Sequence, residues 1–216
     1  MDVNVLSKVE HFFSRFATKN YKKGEILVRA DENPTGIFFL KKGIVKQYAI
    51  SLKGDELVVN LFKPRAFFPM SWAMNDADNS YYFEAMSPVE LCKAPREDVL
   101  RFVKENPDVL YDLLSRVYLG TDGLQLKMTY LMAGNAGARL LTELIILSNR
   151  FGEGKTSNIL IEISEPELSS MTGLTRETIS REFKKLKEKK IITYAKNQLT
   201  ISSLKLLSEE LNENPD

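Results

Sequence analysis

The stretch SEPELSSMTGLTRETISREFKKL, residues 164–186, reads as two short helices bent around a glycine. Ser164-Glu165-Pro166-Glu167 forms a capping box: the serine side chain accepts from the Glu167 amide, the Glu167 carboxylate reaches back, and proline suits a first helical turn. Leu168 to Met171 continue the helix until Thr172-Gly173-Leu174 interrupts it, and Thr175 caps a second one. Ser169 is small enough for close approach of the two helices, Gly173 permits a left-handed turn, and Ile179 fills the angle between them. An ordinary αα-corner satisfies any one of these spacings. The three together with both caps specify a helix-turn-helix.

On the second helix Ile179, Phe183 and Leu186 mark a buried stripe, which leaves Arg176, Glu177, Ser180, Arg181 and Lys184 on or near the opposite face. Arginine can make a bidentate contact with guanine O6 and N7, glutamate can accept from cytosine N4, and serine serves base or phosphate. Three charges alone would describe a solvated face; the motif around them favours base reading by Arg176, Glu177, Ser180 and Arg181. Thr175 and Thr178 at the helix start are candidates for phosphate contacts. Lys184, Lys185, Lys187, Lys189 and Lys190 gather positive charge toward the helix end, where it neutralises phosphates without reading sequence. Ile191–Tyr194 and Gln198–Ile201 read as a wing hairpin around Ala195-Lys196-Asn197, with Lys196 and Asn197 placed to touch the DNA backbone. Leu204–Asp216 ends as a helix, and Asn212–Asp216 read as disordered.

Working toward the N-terminus, Ile159–Ile163 alternates as a strand and Phe151–Asn158 is loop-like. A helix covers about Ala136–Arg150 with Asn135 as its cap, and Gly134-Asn135 marks the domain hinge. Pro107–Ala133 reads as a long helix whose apolar positions include Val109, Leu113, Val117, Leu124, Met128 and Leu131. That seam suits a partner helix, or packing on the chain's own β-domain; Gly120 and Gly123 allow a kink within it. A short charged helix lies near Arg96–Glu105. From Tyr21 to about Pro95, runs such as Glu25–Val28, Ile37–Leu40, Ile44–Ile50 and Leu57–Leu61 alternate with turn signals at Gly24, Asn33-Pro34, Lys42-Gly43 and Lys53-Gly54, the pattern of a jelly roll or small barrel. The expected fold is therefore α+β: a β-roll over 1–106, a long helix over 107–133, and a winged helix-turn-helix over 134–216.

The whole-chain composition narrows the function. Of 216 residues, 44% are hydrophobic and 27% charged, which is globular usage. No apolar run reaches the roughly 18 residues that span a bilayer, and the N-terminus carries no signal-peptide core; a cytoplasmic location is expected. The single Cys92 forms no internal disulfide and excludes sites built from several thiolates. A jelly-roll enzyme of the cupin kind presents two or three histidines to a metal, whereas this chain has only His11. A ligand-binding subunit that controls a protein partner would leave Arg176 and Arg181 without a role. The net charge of +1 argues neither for nor against nucleic acid.

With β-domain, long helix, hinge and winged helix in this order, the chain resembles the catabolite activator/fumarate-nitrate reductase (CRP/FNR) family of bacterial transcription regulators. The resemblance covers nearly all of it and is most specific at Leu174-Thr175-Arg176-Glu177-Thr178-Ile179-Ser180-Arg181, which looks like that family's recognition helix. It implies a homodimer joined along Pro107–Ala133, with Leu113, Val117, Leu124, Met128 and Leu131 at the interface. Two recognition helices would then enter successive major grooves about 34 Å apart on a near-palindrome with TGTGA-like half-sites. It also implies RNA polymerase as a partner, no enzymatic activity and no membrane association.

The sensory region departs from the family's cyclic-nucleotide branch, which uses a glycine-glutamate pair and then an arginine-serine/threonine-alanine stretch. Here stand Phe67-Phe68-Pro69-Met70-Ser71-Trp72 and Asn79-Ser80-Tyr81-Tyr82-Phe83, with no arginine to pair a cyclic phosphate. The hydroxyl positions that meet adenine in that branch fall at Leu124 and Gln125. Cyclic AMP is not expected, and one cysteine cannot hold an iron–sulfur cluster. Phe67, Phe68, Trp72, Tyr81, Tyr82 and Phe83, with Leu124 and Gln125, either line an apolar effector pocket or, for the aromatics, fill the core of the β-domain. No metal and no cofactor are assigned, and the effector is left open.

Overall fold

Ile37-Phe38-Phe39-Leu40 has no polar alternation, which marks a strand covered on both faces, and all four side chains are buried. The computed structural model describes residues 2–75, 77–152 and 155–213. The chain divides into two compact units, Met1–Val117 and Tyr118–Asp216.

The first unit opens with helix α1 (Val3–Phe13) and continues through β1 (Thr18–Tyr21), β2 (Ile26–Val28), β3 (Ile37–Lys42), β4 (Val45–Ile50), β5 (Glu56–Phe62), β6 (Phe67–Phe68), α2 (Met70–Asn75), β7 (Tyr82–Ala85), β8 (Val89–Ala94), α3 (Arg96–Glu105) and the first part of α4 (Pro107–Ala133). Two four-stranded antiparallel sheets result, in the orders β1-β8-β3-β6 and β2-β7-β4-β5. The two-residue period of a strand then sorts the side chains. Ile37 and Phe39 of β3, Cys92 and Ala94 of β8, and Phe67 join Val5, Val9, Phe12 and Phe13 of α1 and Val99 and Val103 of α3 in one core. Phe38, Leu40, Val89, Leu91 and Phe68 point the other way, toward Val28, Val45, Phe83 and Ala85 of the second sheet. Each valine, leucine, isoleucine or phenylalanine among them contributes about 1.5–3 kcal/mol by leaving water.

Two helices of this unit carry no expectation from sequence. In α1, Val5, Val9, Phe12 and Phe13 lie on one helical face and are buried. Asp2 caps the helix by accepting from the Asn4 amide at 2.8 Å. α2 is a short helix directly after β6, and it carries Trp72.

The second unit contains the rest of α4, then α5 (Ala136–Phe151), β9 (Ser157–Glu162), α6 (Glu165–Thr172), α7 (Arg176–Glu188), β10 (Ile192–Ala195), β11 (Gln198–Ser203) and α8 (Leu204–Asn212). Its sheet has the order β10-β11-β9. Leu140, Leu141, Leu144 and Leu147 of α5 are buried, as are Ile159 and Ile161 of β9 and Leu199 and Ile201 of β11. Asn135 caps α5 by accepting from the Ala138 amide at 2.9 Å. α4 runs through Gly120 and Gly123 without a break in its helical assignment. The division between units falls within α4, earlier in the chain than Gly134-Asn135. Within the expected loop at 151–158 and the expected disordered tail at 212–216, residues 153–154 and 214–216 lie outside the described residues. No helix among the described residues is long and apolar enough to cross a membrane.

Candidate nucleic-acid interface

The helix-turn-helix is assembled by the local contacts its residue types favour. The Ser164 amide donates to Glu167 Oε2 at 2.7 Å and the Glu167 amide to Ser164 Oγ at 3.3 Å, closing the capping box. α6 ends at Gly173, whose φ of 66° is left-handed and costs a glycine little. The Ser169 hydroxyl donates to the Leu174 carbonyl across the turn, which gives that small residue a second role beyond allowing close approach. Thr175 then caps α7, accepting from the Thr178 amide at 3.3 Å. Ile179, Phe183 and Leu186 are buried as one stripe.

Flanking and opposite that stripe, Arg176, Glu177, Ser180, Arg181, Lys184 and Lys187 are exposed, Thr175 is exposed, and Thr178 is half-buried. A backbone N–H and the Thr175 hydroxyl hold the Glu177 carboxyl below its ordinary range, so it stands at the helix start as an ionised acceptor. The wing is a two-residue hairpin: Ala195 pairs with Gln198, and Lys196 and Asn197 both take positive φ, 50° and 61°, as a type I′ turn requires. Both are exposed at its tip. Tyr194 fixes the wing to α7 by an edge contact with Phe183 at 4.9 Å and donates its hydroxyl to Asn197 Oδ1 at 3.2 Å.

The lysine cluster is less uniform than its sequence. Lys185 Nζ donates to both oxygens of Glu182 at 2.9 Å, and Lys189 Nζ to both oxygens of Glu210 at 2.6 Å. Glu182 and Glu210 are buried, and a buried carboxylate favours a counterion; each holds a lysine whose own side chain stays more than half exposed. Among the described residues, Lys184, Lys187 and Lys196 make no ion pair, and Lys187 lies 5.4 Å over the Tyr194 ring. Glu182 also accepts from Arg181 Nε at 3.3 Å. It is a site residue that the sequence reading passes over, although its i,i+3 spacing to Lys185 was a usable signal. The second such residue is Arg139, a charge inside the apolar run of α5, which donates to the Thr172 carbonyl at 2.6 Å.

On α4, Val117, Leu124, Met128 and Leu131 are exposed, along with Leu114, Tyr118, Leu119 and Met132. Leu113 differs: with Val109 one turn earlier, it packs into the helix-side core of the first unit. The aromatics named for an effector do not line one pocket. Phe67 faces the helix-side core and Phe68 and Phe83 the core between the sheets. Tyr82 stacks on Tyr48 at 5.1 Å, Trp72 lies under the Arg96 guanidinium at 5.4 Å, and Tyr81 is exposed. Leu124 and Gln125 are exposed and belong to the second unit. Cys92 is buried in the first core, His11 is exposed, and no cluster of metal-ligating side chains occurs among the described residues.

A capped recognition helix beside a two-residue wing, in a chain that begins with a double-sheet roll, defines a winged helix-turn-helix DNA-binding regulator. The Cyclic nucleotide-binding domain family matches residues 18–106, and the Crp-like helix-turn-helix domain family matches residues 138–210. The chain is 30% identical over 178 residues to a global nitrogen regulator of Nostoc sp., covering 81% of this chain and 80% of that protein. It is 23% identical to a cAMP-activated global transcriptional regulator of Pasteurella multocida over 86% of this chain and 90% of the other. Among solved structures, a CooA mutant from Carboxydothermus hydrogenoformans superposes with a TM-score of 0.78 at 19% identity, covering 95% of each chain. A CRP/FNR-family regulator from Thermus thermophilus gives 0.70 at 20% identity, over 93% of this chain and 100% of that one. The chain belongs to the CRP/FNR family and is a DNA-binding transcription regulator, not an enzyme.

Proposed function

We propose that this regulator acts in the cytoplasm as a homodimer on near-palindromic DNA with TGTGA-like half-sites. The observation that carries the reading is the face of α7, where Arg176, Glu177, Ser180 and Arg181 stand exposed above a buried Ile179-Phe183-Leu186 stripe. Arg176, Glu177, Ser180 and Arg181 read base edges, while Thr175, Thr178, Lys184, Lys187, Lys196 and Asn197 contact the phosphate backbone. The exposed Val117, Leu124, Met128 and Leu131 make α4 the dimer helix, which sets the two reading heads one helical turn of DNA apart. In domain terms, 1–106 senses, 107–133 dimerises and 134–216 binds DNA, with RNA polymerase as the further partner.

The effector of the β-roll is a small molecule other than cyclic AMP. Where the cyclic-nucleotide branch has its phosphate arginine, this chain offers Asn79, whose amide donates to the carbonyls of Arg29, Glu32 and Tyr81 at 2.7, 3.3 and 2.8 Å. That side chain holds two loops together and carries no positive charge for a phosphate.

Selection of bound sites from random duplexes tests the whole reading, with Arg181→Ala as its sharpest variant. Arg181→Ala is expected to cost roughly 1–3 kcal/mol on the selected site and to relax preference at one base position. Selection of no common sequence by the wild type, or equal losses on selected and random DNA for Arg181→Ala, would refute the assignment.

A further inference from the structure

Where α4, α5 and the end of α6 meet within the second unit, Lys127, Leu131, Arg139, Thr142, Glu143 and Thr172 line a small, partly open recess. Lys127 Nζ of α4 pairs with Glu143 Oε2 of α5 at 2.9 Å, and the carboxylate side chain is only 8% exposed. Arg139, one helical turn before Glu143, donates from Nη2 to the Thr172 carbonyl, the last residue of α6. The same Nη2 lies 3.2 Å from where a Cβ on Gly173 would stand. Arg139 Nε and Thr142 Oγ1 are buried with no hydrogen-bond partner. An ion pair whose carboxylate is buried is a costly way to fill space that leucine would fill better. Such groups repay their cost when they specify one arrangement among several.

We propose that Lys127, Glu143 and Arg139 form a bracket that fixes the helix-turn-helix against the long helix. They would then be positioning residues for DNA recognition, although none belongs to the reading face. The chain of contacts is continuous: α4 through Lys127 to Glu143, along one turn of α5 to Arg139, then to the carbonyl that closes α6 immediately before the left-handed Gly173. A displacement of the second part of α4 pulls on the turn from which α7 starts. The inference rests on the recognition-helix reading above.

The test compares Lys127→Ala, Lys127→Arg and Glu143→Gln in the full chain, titrated against the selected duplex and a random one, with sedimentation velocity and thermal melts on the same samples. Lys127→Ala is expected to lose about two- to thirtyfold in affinity for the selected site, with little change on random DNA. Lys127→Arg, which keeps the cation, is expected to bind as the wild type does, and Glu143→Gln to fall between. Lys127 is partly exposed and its removal is compatible with folding, so a lost melt in Glu143→Gln leaves the comparison of the two Lys127 variants decisive. Wild-type affinity in Lys127→Ala, or equal loss in Lys127→Ala and Lys127→Arg, would overturn the bracket. Failure of the recognition-helix reading looks different, because the wild type itself would then show no preference for any duplex. Failure of the dimer reading would appear as a monomeric wild type in sedimentation.

Discussion

Leu124→Ala isolates the role of the long helix. Leu124 is 56% exposed in the single chain, and fully burying a leucine is worth about 1.5–3 kcal/mol, so the exposed half holds about 0.75–1.5 kcal/mol for a partner to cover. A twofold interface uses the residue twice, which brings the loss to about 1.5–3 kcal/mol per dimer. At about 1.4 kcal/mol per factor of ten, the dimer dissociation constant should rise by about 10- to 150-fold. Alanine is the better helix former, so α4 itself is not weakened and a change in assembly reports the interface. Sedimentation velocity over a dilution series reads this directly. An unchanged dissociation constant, or a wild type that stays monomeric throughout the series, would refute the assignment of α4 as the dimer helix.

Ile179→Ala removes a fully buried side chain at the angle of the helix-turn-helix and should cost about 2–5 kcal/mol in a denaturant melt. Gly173→Ala forces a Cβ into a left-handed residue with φ 66°, at an expected cost of about 1–2 kcal/mol in the same melt; no change would mean that the turn readily relaxes. Lys187→Ala is expected to weaken binding to all duplexes alike and to reduce the salt dependence of binding by about one phosphate contact. A loss confined to the selected sequence would place Lys187 on a base instead.

The recognition unit is legible in sequence because its determinants are local. A capping box, a left-handed glycine, a Thr cap and a three- and four-residue apolar spacing all fall within residues 164–186, and each is closed by a neighbour in the chain. Helix α1 escapes notice because Val3, Val5 and Val9 are β-branched and so weak helix formers; the core at Val99 and Val103 stabilises it, and those residues are distant in sequence. The same reason hides Arg139, whose partner is the Thr172 carbonyl on another helix. Lys185 and Lys189 read as phosphate binders until their buried carboxylates are seen. Phe67 and Phe68 are adjacent in sequence yet serve opposite cores, a sorting that needs the strand's orientation and not only its composition.

The strand β3 poses a problem of alignment that hydrophobicity cannot solve. Slipping most half-buried strands by one residue would expose their apolar set, but Ile37-Phe38-Phe39-Leu40 would bury equally greasy groups in either setting. The two ends settle the matter by steric exclusion. A Cβ on Gly36 would stand 2.5 Å from the Ala94 carbonyl oxygen, and one on Gly43 would stand 2.3 Å from that of Pro88. Only one alignment brings both bare backbone positions to those carbonyls, so the roll is keyed by two missing side chains. Adding a methyl group at either end should disturb the pairing of the central strand more than shaving one from its middle.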